Sequence, residues 1–203
     1  MNIYSYWEGD MPAFISMCRE ILWNRHSSMF KLAVPSSYFD LPINLKVDYM
    51  KAKTVYDNGG FWIDADMIVM KDLTPIFDML NDNEYVGIPG FFGARKGAPI
   101  LGRWINAMDS LIARGNLTFS DLIQPLLHDP EFKEFEPLTR AMICPIYHTE
   151  SNKFFDVAHE DYGDPYIVTL YNSGFPDWFK KMTRNDIMSK NWVISDFFRK
   201  ALA

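Results

Sequence analysis

The stretch from Asp48 to Asp66, DYMKAKTVYDNGGFWIDAD, constrains this chain more than any other. Leu45, Tyr49, Ala52 and Tyr56 recur at helical spacing, which predicts a helix with a buried face. Asp48 and Lys51 are three apart and therefore neighbours at the edge of that face. Asn58, Gly59 and Gly60 supply the left-handed residues that stop a helix. Phe61-Trp62-Ile63 then reads as a strand, and Met67-Ile68-Val69-Met70 continues its apolar run. Asp64-Ala65-Asp66 interrupts that run. On a continuous strand, residues two apart share a face, so both carboxylates are expected to project together while Ala65 points away. Carboxylates so confined repel each other unless a cation sits between them and a ligand.

The segments around this stretch predict an α/β fold. Asn2 to Trp7 alternates and is aromatic, so it reads as a first strand. Asp10 is placed to cap a helix with Pro12 in its first turn. Phe14, Cys18, Ile21 and Leu22 keep helical spacing to about Asn24, and Met29 to Val34 reads as a second strand before Pro35-Ser36-Ser37. A β-α-β start of this kind builds a parallel sheet with its ligand at the C-terminal strand ends. Trp7 then stands either at the ligand edge or in the core beneath a loop. Asp72 to Leu80 reads as a short helix and Tyr85 to Ile88 as a strand. Pro89 to Gly97 is glycine-punctuated and ends in Arg95, Lys96 and Gly97, which fits either a close approach to ligand or ordinary turns. Ile100, Leu101, Trp104, Ile105, Met108, Leu111 and Ile112 predict an amphipathic helix. Ser120 is expected to cap another over 120–127. Ile143 to Tyr147 and Tyr166 to Tyr171 are the strand candidates of a loop-rich region, and Asn172 to Pro176 is a polar turn. Thr183 is expected to cap a last helix that buries Ile187, Ile194, Phe197 and Phe198. The whole predicts a central, mostly parallel sheet flanked by helices.

At 203 residues the chain suits one domain, divided into a ligand-binding part over 1–97 and a second part with closing helices over 98–203. A formal charge of −6 argues against a nucleic-acid partner. Lys180 to Lys200 nevertheless carries six positive and two negative charges. That leaves two readings of the C-terminal helix: peripheral contact with an anionic membrane, or aromatics packed inward beneath solvated charges. Cys18 and Cys144 lie far apart in apolar settings, which fits packed thiols in a reducing, cytoplasmic compartment. Met1 leads straight into the first strand, so no signal peptide is expected, and no apolar run has bilayer length. The histidines at 26, 128, 148 and 159 lack metal-ligand spacing.

Oxygen-only ligands select hard cations, Mn²⁺ or Mg²⁺. A metal held at a strand end opposite a diphosphate acts as a Lewis acid on a departing nucleoside diphosphate, which is what transfer from a nucleotide sugar requires. Asp48 is suited to hold sugar hydroxyls, Lys51 to add positive charge near the phosphates, and Trp7 to stack on a base. Arg95 and Lys96 are further candidates for donor-phosphate or acceptor contacts. No side chain stands out as a dedicated catalytic base, which is compatible with retention at the anomeric carbon.

In Asp48, Lys51, Gly59-Gly60, Trp62, Asp64 and Asp66 the chain resembles the Asp-x-Asp sugar transferases. That family includes the yeast initiating α-mannosyltransferase, capsular-polysaccharide transferases and the glucosyltransferase domains of large clostridial toxins. Its signature is an Asp and an Arg three apart on a helix, then Gly-Gly, an aromatic and Asp-x-Asp. Trp7, in IYSYWEG, is similar to the Trp that closes the family's first strand and stacks on uracil. The compact chain is also similar to small viral members, such as the first domain of a multidomain chlorella-virus glycosyltransferase, for which the location would be the host cytoplasm. The resemblance implies a GT-A fold, a Mn²⁺ site, a UDP- or GDP-sugar donor, a carbohydrate acceptor and retention. It gives Asp66 the direct metal bond, Asp64 the ribose and a metal-bound water, and Asp48 the donor sugar. Asn172 and Ser173 fall near the family's Ser-x-Trp, with Phe175 in place of Trp. Lys51 replaces the family's Arg, keeping charge but losing the bidentate fork. Two other classes share parts of this pattern: haloacid-dehalogenase-type phosphatases, through Ile63-Asp64-Ala65-Asp66, and a non-catalytic sugar-nucleotide-binding module.

Overall fold

The computed structural model describes residues 1–34, 41–115, 117–118, 121–130, 132, 140–158 and 161–203. Pro35-Ser36-Ser37, the Ser120 cap and His159 lie outside the described residues. The chain divides into two compact units, each assembled from three separate segments. The first comprises Met1–Tyr6, Met29–Asp64 and Pro75–Leu138; the second comprises Trp7–Ser28, Ala65–Thr74 and Thr139–Ala203.

The first unit is built on a five-stranded sheet. Its strands are β1 (Ile3–Ser5), β2 (Phe30–Leu32), β3 (Gly60–Ile63), β5 (Tyr85–Ile88) and β6 (Phe91–Ala94), in the order β2-β1-β3-β6-β5. β1 pairs parallel to both β2 and β3, while β6 runs antiparallel to β3 and to β5. Four strands therefore point one way and β6 alone opposes them, the mostly parallel sheet that the sequence predicts. Register places Tyr4 beside Trp62 and Trp62 beside Phe92. These side chains share one face, where they join Leu45, Tyr49 and Val55 of helix α2 (Ile43–Asn58) and Ile100, Leu101, Trp104 and Met108 of helix α4 (Pro99–Arg114) in a single core. On the alternate face Phe61 stacks on Phe91 at 5.6 Å and meets Phe77 at 4.7 Å. The buried Trp104 indole donates to the Leu122 carbonyl at 2.6 Å.

The segment 89–97 departs from its expectation. Much of it is strand β6, and two glycines of the sheet serve packing within the chain. A side chain at Gly93 would meet the Phe61 ring at 2.4 Å, so that ring lies flat against the strand. Gly87, at φ +123°, leaves room for the Phe91 carbonyl at 2.3 Å from where its Cβ would stand. Arg95 turns away to donate to the carbonyls of Leu80 and Asn81 at the end of the helical stretch that begins with α3 (Thr74–Asp78).

The second unit contains a two-stranded antiparallel sheet, β4 (Met67–Val69) with β7 (Ile167–Thr169). Helix α1 (Ala13–His26) packs on β4. Pro12, not Asp10, occupies the N-cap of α1, where no side chain caps, and β1 ends two residues before Trp7. Ile143 to Tyr147 forms no strand; Arg140–Ile143 is a helical turn. The predicted last helix is two helices. Thr183 caps the first, Arg184–Ser189, through a reciprocal box with Asp186. The second, Val193–Leu202, starts anew after Trp192. Ile187, Ile194, Phe197 and Phe198 are all buried, and Arg184 pairs with Glu20. This is the inward-packed arrangement of that segment. Among the described residues no helix is long and apolar enough to cross a membrane.

His26, at the end of α1, is buried and accepts the Leu73 N–H at Nε2. Burial pushes its pKa below the usual histidine value, against an opposing pull from Asp72. The unfolded chain therefore takes up a proton first as the pH falls, so stability is lost on acidification through about 6.5, the unfolded value. Urea unfolding is expected to give a lower midpoint at pH 5.5 than at pH 7.5. His26→Gln, which keeps an acceptor but does not titrate, should flatten that part of the profile. An unchanged profile in the variant would exclude His26 as its source.

Candidate functional site

Helix α2 carries Asp48 and Lys51, strand β3 carries Trp62, and Asp64 directly follows the strand. The helix stops where Gly59, at φ +68°, turns its N–H back to the Val55 carbonyl at 2.7 Å. One turn in from its start, Lys51 Nζ lies 2.6 Å from Asp48 Oδ1. The side chains are only 6% and 14% exposed, so the pair is largely withdrawn from water. An ammonium left alone at that depth would be strongly destabilising. The lysine meets its neighbouring carboxylate through a point charge, without the fork that an arginine would offer.

β3 ends at Ile63, and the Asp64 N–H then donates to the Gly90 carbonyl at 2.9 Å. The Trp62 indole, wholly buried, donates from Nε1 to Asp64 Oδ1 at 2.7 Å. The pair is two residues apart and shares the α2-covered face of the strand. Asp64 itself is partly exposed.

The expectation of one strand continuing through the aspartates is corrected here. Ala65 and Asp66 form a turn, after which β4 belongs to the other sheet, so the two-residue face rule does not relate Asp64 to Asp66. Chain geometry alone keeps their Cα atoms within about 7 Å.

In the second unit Asp66 is held from both sides of its residue. Its carbonyl accepts the Leu170 N–H at 2.9 Å, and its carboxylate Oδ2 accepts the Asn172 N–H at 2.8 Å. Tyr171, between them, is the one non-glycine residue at positive φ among the described residues, at φ 56° and ψ 57°. Such a conformation is costly for a bulky residue, and here it ends β7's extension and aims the next N–H at the carboxylate. The His148 ring meets the Tyr171 ring edge-on at 6.1 Å. Asn172 also carries a side-chain Oδ1 that is buried with no hydrogen-bond partner. Ser173 is exposed in the same short turn, and Phe175 anchors it by packing on Phe14, Phe154, Phe155 and Phe179. Beneath Asp66, burial raises the Cys18 thiol pKa, and the Asp66 charge raises it further. Trp7 is partly buried in the loop before α1, its Nε1 donating to the Asp10 carbonyl at 3.3 Å.

Asp48 thus meets Lys51, Trp62 meets Asp64, and Asp66 meets Asn172. Tyr171 is the participant that the sequence did not disclose, since nothing about a tyrosine after a strand announces a left-handed backbone. The oxygens at Asp66 and Asn172 are chemically suited to a hard cation: one carboxylate and one unsatisfied amide oxygen. Among the described residues no three His, Cys, Asp or Glu side chains form a cage. A cation here would take the rest of its shell from water and ligand.

No family model matches this sequence, and no curated protein does either. Among solved structures, the chain is similar to the crystal structure of a glycosyltransferase involved in the glycosylation of the major capsid of PBCV-1. The TM-score is 0.52 and the identity 13%, over 89% of this chain and 98% of that one. The chain shares the fold of that protein. At this identity the likeness speaks for the architecture: a mixed α/β chain whose central, mostly parallel sheet is flanked by helices.

Proposed function

We propose that this chain is a metal-dependent, retaining glycosyltransferase that moves a sugar from a UDP-sugar to a carbohydrate hydroxyl. The observation that carries the reading is the position of Asp64-Ala65-Asp66, at the C-terminal end of a central parallel strand in a glycosyltransferase fold. Ligands of open α/β sheets gather at that end. Asp66, with Asn172 beside it in the turn, would hold Mn²⁺ or Mg²⁺, and the bound ion would supply Lewis-acid stabilisation of the departing diphosphate. Asp64 accepts from the ribose hydroxyls. Asp48, oriented by Lys51, accepts from hydroxyls of the donor sugar. Trp7 offers its indole to uracil, and Ser173, exposed in its turn, donates to a phosphate oxygen. The neighbour's role in capsid glycosylation favours a glycan or glycoprotein acceptor and a viral setting.

A panel of UDP- and GDP-sugars tests this by thermal stabilisation, with and without Mn²⁺. A donor present at about 100 times its Kd adds about 2.7 kcal/mol to stability, which for a chain of this size raises Tm by about 5–10 °C. The expected result is a Mn²⁺-dependent rise for UDP-sugars, followed by slow UDP release. A Tm unmoved by every member of the panel would overturn the assignment.

A further inference from the structure

Trp62 and Trp104 lie in the same core, and both indole N–H groups are satisfied, but by different partners. Trp104 donates to a backbone carbonyl, that of Leu122, as a buried tryptophan usually can. Trp62 donates to a carboxylate that sits where the strand leaves the core. Its ring has no exposed surface and is enclosed by residues of α2, α4 and β6, so the nitrogen is a fixed point. The Asp64 carboxylate is partly exposed and attached through two rotatable bonds. When a fixed donor meets a rotatable acceptor, the acceptor adopts the donor's geometry, and the bond to a charged oxygen is the stronger kind.

We propose that Trp62 is a positioning residue: its buried indole N–H holds Asp64 Oδ1 and presents that carboxylate to the nucleotide-sugar donor in one orientation, without touching the donor itself. The inference rests on the donor-binding role given above to Asp64. Its physical content is preorganisation. A carboxylate already fixed in its bound rotamer loses no further freedom when the ligand arrives, whereas an untethered one does.

The test replaces Trp62 with 3-benzothienylalanine, which keeps the bicyclic shape and substitutes sulfur for the N–H. This variant is expected to fold, with donor KM raised about 10-fold and kcat changed less. The same replacement made in an Asp64→Ala background should raise KM no further, because nothing remains to be positioned. A purely structural role for the ring predicts an equal penalty in both backgrounds, and that result, or an unchanged KM in the single variant, overturns the proposal. A second measurement does not depend on turnover: the Trp62 indole ¹H–¹⁵N resonance should move in Asp64→Ala. An unmoved resonance in a protein that binds donor refutes the positioning role alone. Failure of the parent to bind any nucleotide sugar refutes the donor assignment, and with it this role.

Discussion

Replacing Asp66 with alanine is expected to lower kcat for sugar transfer by about 10²–10³-fold, the scale of losing one group that stabilises transition-state charge. The carboxylate is placed to do two things at once. Its Oδ2 receives the Asn172 N–H, and in the proposed function it also bonds the divalent ion. Loss of the hydrogen bond alone costs about 1 kcal/mol of stability, far less than the kinetic effect. The two contributions separate by measurement: urea unfolding reads the first, and a Mn²⁺ titration of donor turnover reads the second. Asp66→Asn retains an acceptor for Asn172 but is a weaker ligand for a hard cation, so it should recover most of the stability and little of the activity. Turnover in Asp66→Ala equal to the parent's would remove the metal from this residue.

A large loss of stability is expected from Gly60→Ala. Gly60 opens β3 at φ +110°, a conformation that side chains rarely adopt, and its added Cβ would stand 2.4 Å from the Asn2 carbonyl oxygen. That oxygen accepts the Phe61 N–H at 2.9 Å, so it belongs to the β1–β3 pairing and has nowhere to retreat. Backbone strain of about 1–3 kcal/mol adds to an overpacking cost of about 1–3 kcal/mol. The sum, about 2–6 kcal/mol, is a large part of the stability of an ordinary domain. Denaturant unfolding should show it as a strongly reduced midpoint with little change in slope. Gly97→Ala is the control. That residue also has positive φ, but nothing lies within 4 Å of the added Cβ, so only the strain should register. Equal effects at the two positions would mean that the contact with Asn2 is unimportant.

These sites also show how far the sequence could be read. Helix α2 was legible because its apolar residues recur locally and Gly59 marks its end. Strand β5 was legible because Tyr85 to Ile88 is apolar between turn signals. β6 was missed because Gly90, Gly93 and Gly97 look like turn punctuation, and only the Phe61 ring lying on the strand explains why Gly93 sits in a sheet. The break at Asp64 was read as a polar interruption within one strand. Apolar patterning reports that both flanks are buried, but not that β3 and β4 belong to different sheets. Within the site, the contact Asp48–Lys51 followed from helix spacing, whereas the strand-spacing argument was spent on Asp64 and Asp66 and passed over Trp62–Asp64. Asp66 meeting Asn172 joins residues 106 apart in sequence, which no local period can encode. Asn172 entered the sequence reading as a site residue through the family resemblance alone, and Tyr171 entered it only as the end of a strand candidate.

The ion pair on α2 restricts how this protein can be altered. Truncating Lys51 would take from the Asp48 carboxylate, only 14% exposed, the ammonium it pairs with, and that costs far more than exchanging both for apolar residues of similar volume. In the proposed function, retuning sugar preference at Asp48 is therefore coupled to Lys51, and a mutational library that varies both positions together would retain combinations that a single change at Lys51 discards.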